Sequence, residues 1–524
     1  MPTLIAPAAL KARLSEPGEL ALFDVREAGQ FGEGHLFLAV PLPYSRLELD
    51  VGRLAPRRGV PVVLCADDTA LAQTAVRRLE GLGYTDIAVL DGGTAGWAAA
   101  GFTLFKGVNV PSKAFGELVE HACGTPRVGA RELARWQAEG RDLVVLDGRP
   151  VEEFRKMSIP GAVCCPNGEL GYRLRDLVPS PETMVVINCA GRTRSIIGAQ
   201  TLINLGIPNP VLALENGTQG WVLADLALDH GSARRYPDNA APAGLDEARA
   251  AAAQLAGRFT VPRIDAATLA AWRADPARTT LLLDVRTAAE FAASHLDGAQ
   301  HAPGGQLIQA TDQYVGVLGA RLVLYDSDGV RAPVVASWLR QLGRDAAVLE
   351  SGLGSGAPLA PAVAAPPEGG TVDAAAAHRL AADGATVVDV GASARFRTRH
   401  IPGARWSIRP RLAEDVAGTA GPFLVVGDDD GVARLAAQEL REATGGAAHV
   451  LAGGVDAWVR AGLPLAASPA EPPDAERIDH LFFVHDRHDG NRDAARRYLA
   501  WETALVGQLD DAERALFTLP HPAA

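Results

Sequence analysis

A cysteine and two arginines lie close together in the stretch MVVINCAGRTRSIIGAQTL, residues 184–202. Apolar residues lead toward Cys189, Arg192 and Arg194 follow in a short polar loop, and a second apolar period begins beyond them. A loop between the carboxyl end of a parallel strand and the start of a helix presents inward-pointing N–H groups and partial positive charge. We expect the thiol to react there as a thiolate with an anionic electrophile.

The same frame occurs four times along the 524 residues. A short apolar run ends in an aspartate, a phenylalanine follows seven residues later, and a second apolar run leads into a polar loop and a helical period. We align the first residues of these four loops as Cys65, Cys189, Tyr325 and Gly427. Spacing this regular indicates an internal repeat of alternating strands and helices.

This pattern predicts an α/β fold with a mainly parallel sheet flanked by helices in each repeat. Segments rich in proline, glycine and alanine separate the repeats, and we expect two lobes of two domains each. Helical spacing of large apolar residues after the last repeat predicts a C-terminal helical extension, which docks on a domain or on a second subunit in a homodimer. The predicted units are residues 1–108, 124–232, 258–357, 370–466 and 475–524.

Composition restricts the class of protein. The net charge of −12 argues against a nucleic-acid binder, because phosphate contacts need a basic face. No window is apolar enough for a membrane span and no signal peptide is evident, so we expect a cytoplasmic protein with reduced cysteines. His480, His485 and His488 lack the spacing of metal ligands, and we expect a surface segment there. No metal or organic cofactor is predicted.

The second repeat resembles the rhodanese family of sulfurtransferases. The resemblance rests on DGRPVEEF, IPGA, VINCAGRTRSI and NGTQGW, and it extends over four tandem domains to about Pro464. It implies a six-residue loop, Cys189 to Arg194, that opens with the catalytic cysteine. One departure is that Arg192 stands where family loops often carry glycine, while Gly191 lies one residue earlier.

The resemblance implies a thiosulfate sulfurtransferase that works by double displacement. Cys189 takes the outer sulfur of thiosulfate as a persulfide and passes it to cyanide or a thiol. Arg194 and the loop N–H groups would hold the donor and the persulfide, and Arg192 would bind the sulfonate end. Arg149 would lie near the rim, and Arg173 would add a positive charge or lie at the surface. The predicted substrate-binding residues are Arg149, Arg173, Gly191, Arg192, Thr193, Arg194 and Ser195.

The other cysteines and loops have competing interpretations. Cys65 precedes Asp67 and Asp68, which favours a degenerate structural copy, with a secondary site or a sulfur relay as the alternative. The loops at Tyr325 and Gly427 lack a nucleophile and are predicted to be inactive. Cys164 and Cys165 are expected to pack in the core, and a resolving thiol is the alternative.

Three further functions stay open from the sequence. The protein could take sulfur from 3-mercaptopyruvate, or serve as a sulfur-relay or partner-docking scaffold that receives persulfide from another protein. A phosphate- or arsenate-ester enzyme would use the same kind of anion loop, but the loop is one residue shorter than that of the related phosphatases.

Overall fold

The computed structural model describes residues 3–237, 242–360, 370–488 and 491–519. Four five-stranded sheets follow one another along the chain, and every strand pairing within them is parallel. All four have the same strand order, in which the fifth strand of the repeat lies between the first and the fourth, and the second lies between the fourth and the third. The predicted α/β class and the four tandem units are confirmed.

The first domain is built from ten elements and is followed by a helix that leads into the second domain. The bounds are β1 Thr3–Ile5, α1 Pro7–Arg13, β2 Ala21–Asp24, α2 Ala28–Glu33, β3 Val40–Pro41, α3 Leu47–Leu54, β4 Val62–Cys65, α4 Thr69–Gly81, β5 Ile87–Leu90, α5 Gly93–Ala99 and the connecting helix α6 Val110–Cys123. The connection was predicted as a linker, but most of α6 is buried.

The second domain repeats this order. The candidate nucleophile follows its fourth strand, β9, and precedes α10. Its elements are β6 Arg127–Val128, α7 Ala130–Ala138, β7 Leu143–Asp147, α8 Val151–Lys156, β8 Val163–Cys164, α9 Leu170–Leu177, β9 Met184–Asn188, α10 Thr193–Asn204, β10 Val211–Leu214, α11 Gly217–Leu223 and the connecting helix α12 Leu245–Arg258.

The last two domains keep the strand order with small changes in the helices. Domain 3 contains β11 Arg263–Ile264, α13 Ala266–Ala274, β12 Thr280–Asp284, α14 Ala288–Ala293, β13 Gln300–His301, α15 Gly304–Gln309, β14 Arg321–Tyr325, α16 Arg331–Gln341 and β15 Asp345–Leu349. Domain 4 contains β16 Thr371–Val372, α17 Ala374–Ala382, β17 Thr386–Asp389, α18 Ser393–Thr398, β18 Arg405–Trp406, α19 Leu412–Asp415, β19 Phe423–Val426, α20 Asp430–Thr444, β20 Ala448–Leu451 and α21 Gly454–Arg460.

The C-terminal extension consists of three helices that pack on the chain's own domains. These are α22 Phe482–His485, α23 Arg492–Ala504 and α24 Asp511–Arg514. Trp501 lies against Gly107, whose missing side chain leaves room for the indole ring. Docking on a domain of the same chain, one of the two predicted alternatives, is therefore seen in the structure, and the homodimer stays a prediction.

A buried carboxylate ends the second strand of every repeat. In the first three domains an arginine two residues later pairs with it, as Arg149 does with Asp147 at 2.7 Å. In domain 4 glycine replaces that arginine, and Arg395 reaches Asp389 from α18 instead. Because a buried charge without a partner is costly, the pair fixes the carboxyl edge of each sheet.

The domains do not form two separate lobes. Domain 1 contacts domain 3 through Leu20 and Leu318, which exchange backbone hydrogen bonds, and contacts domain 4 through Arg409, which pairs with Glu48. Domain 3 contacts domain 2 through Arg331, which pairs with Glu169 at 2.9 Å. The expectation of two domain pairs is wrong because domain 1 packs on both members of the second pair.

Replacing Arg331 by methionine should destabilise the junction between domains 2 and 3. Arg331 is fully buried and pairs with Glu169, Glu290 and Asp328, so its loss leaves three carboxylates without their cation. We expect the free energy of unfolding to fall by roughly 3–5 kcal/mol. Thermal denaturation followed by circular dichroism measures this as a lower Tm.

The matched control is Arg496→Met, which removes an exposed arginine paired with Asp493. That change should cost less than about 1 kcal/mol, because exposed ion pairs contribute little. Equal effects of the two substitutions would contradict the assignment of Arg331 to a buried junction.

Candidate active site

Cys189 lies directly after β9, in the loop that leads to α10. The preceding Asn188 donates from Nδ2 to Asp147 Oδ2 at 2.6 Å, which ties the end of β9 to β7. Cys189 is 2% exposed. The strand end and its buried pair thus hold the thiol below the surface, at the carboxyl edge of the sheet where ligands of parallel α/β sheets bind.

The backbone of the loop forms a cradle around the thiol. In the described part of the chain, the N–H groups of residues 190–194 donate to no protein acceptor. The Ser195 hydroxyl donates to Cys189 Sγ at 3.1 Å, and α10 begins at Thr193. A ring of open N–H groups at a helix start is suited to an anion, so the cradle can hold a thiolate or a negatively charged sulfur.

A tight turn from α11 supports the loop from behind. The Thr218 N–H donates to the Cys189 carbonyl at 2.8 Å. Gly217 has a φ of +51°, and a Cβ there would overlap the Cys189 carbonyl oxygen. Only glycine combines this backbone angle with this close approach, so the late glycine of the repeat positions the nucleophile loop.

Arg192 bonds the connecting helix α6. Its guanidinium pairs with Glu117 at 2.6 Å and with Glu120 at 2.5 Å. Burial alone would lower the pKa of Arg192, but the bonded Glu117 carboxylate outweighs it and keeps the pKa above its usual value. Arg192 thus anchors the loop to α6, and because it also lines the cavity of Cys189, its predicted contact with the sulfonate end of a donor stays a prediction.

Arg194 remains beside Cys189, but its charge is also compensated. Both terminal nitrogens bond Glu153 at 2.8 Å. Burial would lower the pKa of Arg194, and the Glu153 carboxylate followed by Cys189 raises it above its usual value. Arg194 lines the cavity above the thiol together with Arg149, Gly191 and Thr193.

Arg173 is the predicted site residue that lies elsewhere. It is buried on α9, its guanidinium stacks over the rings of Tyr172 and Tyr236, and it does not line the cavity. Both sequence interpretations of Arg173, a substrate contact and a surface residue, are corrected. The spacing of the sequence alone did not reveal this placement.

The strand register corrects the alignment of the loops by one residue. Cys65 pairs with Asp24 across the sheet, as Asn188 pairs with Asp147, so Cys65 corresponds to Asn188. The late glycine of each repeat marks the same register, since a Cβ on it would meet the carbonyl of Ala66 in domain 1 and of Cys189 in domain 2. Asp326 and Gly427 are the corresponding residues of domains 3 and 4.

Cys65 therefore does not occupy the position that Cys189 holds in domain 2. Its thiol packs in an apolar cluster on the other side of the strand, with no exposure to solvent. Burial raises the pKa of the Cys65 thiol well above its usual value, and the Asp24 carboxylate adds to the shift. The structural interpretation of Cys65 is the one that the geometry supports, because a protonated buried thiol is inert.

In domain 3 the cradle is filled by the protein's own carboxylate. Asp326 occupies the nucleophile position and accepts hydrogen bonds from the N–H groups of Gly329 and Ala332, at 2.9 and 2.8 Å. Arg331 pairs with Glu290 just as Arg194 pairs with Glu153. Domains 2 and 3 thus share the same kind of loop. In domain 2 its N–H groups have no protein acceptor among the described residues, whereas in domain 3 two of them bond the Asp326 carboxylate.

Cys164 and Cys165 lie in separate apolar clusters. Burial raises the pKa of the Cys164 thiol to about 12 and that of Cys165 well above its usual value. Neither thiol lines the cavity of Cys189. This placement supports packing over the role of a resolving thiol.

Four parts of the chain enclose a cavity of about 360 Å³ over Cys189. Only the part from domain 2 is marked by the local sequence around Cys189, because the residues of the other three parts lie far away in the sequence. Among the described residues, the cavity is also lined by Lys113 from α6, by Gln306 and Gln309 from domain 3, and by His485, Arg487, Tyr498 and Glu502 from the C-terminal extension. His488 belongs to the predicted histidine segment, but its side chain lies outside the described residues.

None of the helices in the described part of the chain combines the length and the apolar character that a membrane span requires.

A parallel α/β domain that holds a cysteine in an open anion cradle defines a class of thiol-dependent group-transfer proteins. The model of the Rhodanese-like domain matches residues 6–100, 129–224, 265–355 and 373–461. The chain belongs to the rhodanese family and carries four tandem rhodanese-like domains.

Known relatives agree with this assignment. A solved structure of a thiosulfate sulfurtransferase from Pseudomonas aeruginosa is 42% identical, covers 99% of both chains and superposes with a TM-score of 0.88. A thiosulfate sulfurtransferase from Azotobacter vinelandii is 27% identical over 247 residues, which are 40% of this chain and 90% of the relative. A putative sulfur carrier protein from Bacillus subtilis is 28% identical over 102 residues, 20% of this chain and 54% of the relative. The predicted enzyme class, sulfurtransferase, is confirmed.

Replacing Arg192 by methionine should destabilise the protein rather than weaken donor binding. The substitution leaves Glu117 without its buried cation and leaves Glu120 with only the exposed Arg127, and we expect a loss of roughly 3–5 kcal/mol. Thermal denaturation measures the loss, and initial rates at varied thiosulfate concentration give KM.

The double variant Arg192→Met, Glu117→Gln provides the control. It removes one of the two carboxylates that lost their partner, so part of the stability should return. A normal Tm together with a large rise in KM for thiosulfate would contradict the anchoring role and restore the substrate contact.

Proposed function

We propose that the protein moves sulfane sulfur from thiosulfate to a thiophilic acceptor through a persulfide on Cys189. The observation that carries the proposal is the open cradle: the thiol lies among backbone N–H groups that donate to no acceptor in the described chain. The Ser195 hydroxyl adds a hydrogen bond to Sγ. The names of two relatives, both thiosulfate sulfurtransferases, support thiosulfate as the donor.

In the first half of the reaction, the Cys189 thiolate attacks the outer sulfur of thiosulfate. A bond forms between Sγ and that sulfur, the S–S bond of thiosulfate breaks, and sulfite leaves with the electron pair. The persulfide carries its negative charge on the outer sulfur, at the centre of the cradle. Fixed N–H dipoles stabilise this charge without reorganising.

In the second half, the acceptor attacks the outer sulfur. The bond between Sγ and the outer sulfur breaks, and its electron pair returns to Sγ as the Cys189 thiolate. Cyanide would leave as thiocyanate and a thiol would leave as a hydrodisulfide. Charge compensation of Arg192 and Arg194 by glutamates favours this turnover, since an uncompensated cluster of cations would retain the anionic products.

The enclosure of Cys189 bears on the alternatives. A thiol that is 2% exposed, below a cavity of about 360 Å³, suits a small donor better than a protein that must bring its own persulfide to Sγ. The sulfur-relay scaffold is therefore the weaker candidate. The compound 3-mercaptopyruvate is also small and anionic, and the assay below includes it as a second donor.

Turnover should depend on Cys189 alone among the five cysteines. With thiosulfate and cyanide, Cys189→Ser should abolish thiocyanate formation, because serine forms no persulfide. Cys65→Ser should keep wild-type rates, since Cys65 lies in the core of domain 1. Intact mass after thiosulfate alone should show one added sulfur on the wild type and none on Cys189→Ser.

If thiosulfate gives neither turnover nor added sulfur, but 3-mercaptopyruvate adds sulfur to Cys189, then 3-mercaptopyruvate is the donor and thiosulfate is not. Activity that survives in Cys189→Ser would overturn the proposed nucleophile.

Removing the Ser195 hydroxyl should slow persulfide formation. A hydrogen bond to a charged group contributes about 1.5–3 kcal/mol, so Ser195→Ala should load sulfur roughly ten- to a hundred-fold more slowly. Rapid mixing with thiosulfate, followed by quenching and intact mass, measures the loading rate. Ser195→Thr keeps a hydroxyl and serves as the comparison; equal loss in both variants would indicate a packing defect.

A further inference from the structure

The carboxylate of Glu502 reaches the Cys189 loop from the C-terminal helix α23. The Thr193 hydroxyl donates to Glu502 Oε1 at 2.9 Å, and Glu502 lines the same cavity as Cys189. A Cβ at Gly191 would lie 3.1 Å from Glu502 Oε2. Glycine at position 191, the departure noted in the sequence, leaves the carboxylate room beside the loop.

The second carboxylate oxygen has an unmet hydrogen-bonding capacity. Glu502 is 2% exposed, and no donor in the described part of the chain bonds its Oε2. The guanidinium of Arg192 is directed to Glu117 and Glu120 instead. A buried carboxylate oxygen without a donor is costly and rare. Oε2 itself has almost no surface exposed to solvent, but Glu502 lines the cavity, so the donor that this oxygen lacks would come from a molecule bound there.

We propose that Glu502 is the general base for the acceptor thiol, an inference that rests on the proposed function. Oε2 takes the proton from the acceptor S–H, and the thiolate so formed attacks the outer sulfur of the Cys189 persulfide. A bond forms between the two sulfur atoms, the bond from Sγ to the outer sulfur breaks, and its electron pair stays on Sγ. The proton remains on Glu502 until the hydrodisulfide leaves.

The chemistry of the two half-reactions assigns the base to the second. Thiosulfate is an anion with no proton to give, and a carboxylate repels it. An ordinary thiol is protonated near neutral pH and attacks sulfur only as the thiolate. The carboxylate on α23 therefore assists acceptors that must lose a proton before they attack.

Glu502→Gln tests the proposal because glutamine keeps the shape and an acceptor for Thr193 but takes up no proton. The full-length protein is loaded with thiosulfate, or with polysulfide should thiosulfate fail, and is freed of donor. Discharge of the persulfide is then followed by intact mass in a single turnover, with either 2-mercaptoethanol or sulfite in mildly alkaline buffer. Sulfite has no proton to lose under these conditions.

We expect discharge by 2-mercaptoethanol to slow by at least about tenfold, in keeping with the size of general-base effects. Discharge by sulfite should equal or exceed the wild-type rate, because a negative charge has been removed. Thionitrobenzoate, a thiol that is already ionised, should behave as sulfite does. Glu502→Asp keeps a carboxylate and should recover part of the rate with 2-mercaptoethanol.

Glu513→Gln is the matched control. Glu513 belongs to the same extension and is buried, but it pairs with Lys11 and does not line the cavity, so both discharge rates should stay unchanged.

If Glu502→Gln slows discharge by 2-mercaptoethanol and by sulfite equally, Glu502 is not a general base and only supports the structure of the loop. If the substitution accelerates both discharge reactions equally, the proposal is also wrong, and Glu502 acts only by electrostatic repulsion of the acceptors. A wild type that loads no sulfur from either donor would instead overturn the proposed function.

Discussion

A buried ion pair at the carboxyl edge of each sheet is the interaction on which the site depends. Asp147 is inaccessible to solvent, and Arg149 and Asn188 bond both of its oxygens. Together they fix the ends of β7 and β9, and the proposed nucleophile, Cys189, is the next residue after Asn188. The pair is costly to break, because either partner alone would be a buried charge. A sheet edge held in this way lets the following loop stay open without collapsing on itself.

The sequence predicted the order of strands and helices better than it predicted the side-chain contacts of the candidate site. Periodicity of apolar runs and a recurring aspartate were enough for four parallel sheets, because burial on both faces leaves a strong local pattern. Counting residues could not fix the register: a strand ends where its hydrogen bonds end, and Cys65 proved to be the counterpart of Asn188. The cationic loop was interpreted as a binding surface, yet Glu117 and Glu153 compensate its charge from distant parts of the chain. No local signal marks such a partner.

Comparison of domains 2 and 3 shows how small the difference between an open and an occupied loop is. Both have an arginine bonded to a glutamate on the helix after the buried aspartate. Where domain 2 has a cysteine, domain 3 has Asp326, whose oxygens take the N–H groups that an anion would use. Domain 3 has no thiol at that position, but its helix α15 contributes Gln306 and Gln309 to the wall of the neighbouring cavity. A repeat without a cysteine at this position thus forms part of the cavity of the repeat that has one.

The placement of α23 over the loop has a consequence for biosynthesis. The ribosome makes all four domains before it reaches Glu502, and an extended chain must still leave the exit tunnel before that helix can fold. During this interval Cys189 already has its strand, its cradle and its connecting helix, but one wall of its chamber is missing. The nascent enzyme therefore passes through a stage in which its thiol is more open to cellular oxidants than at any later time. Completion of the last helices is the step that ends this exposure.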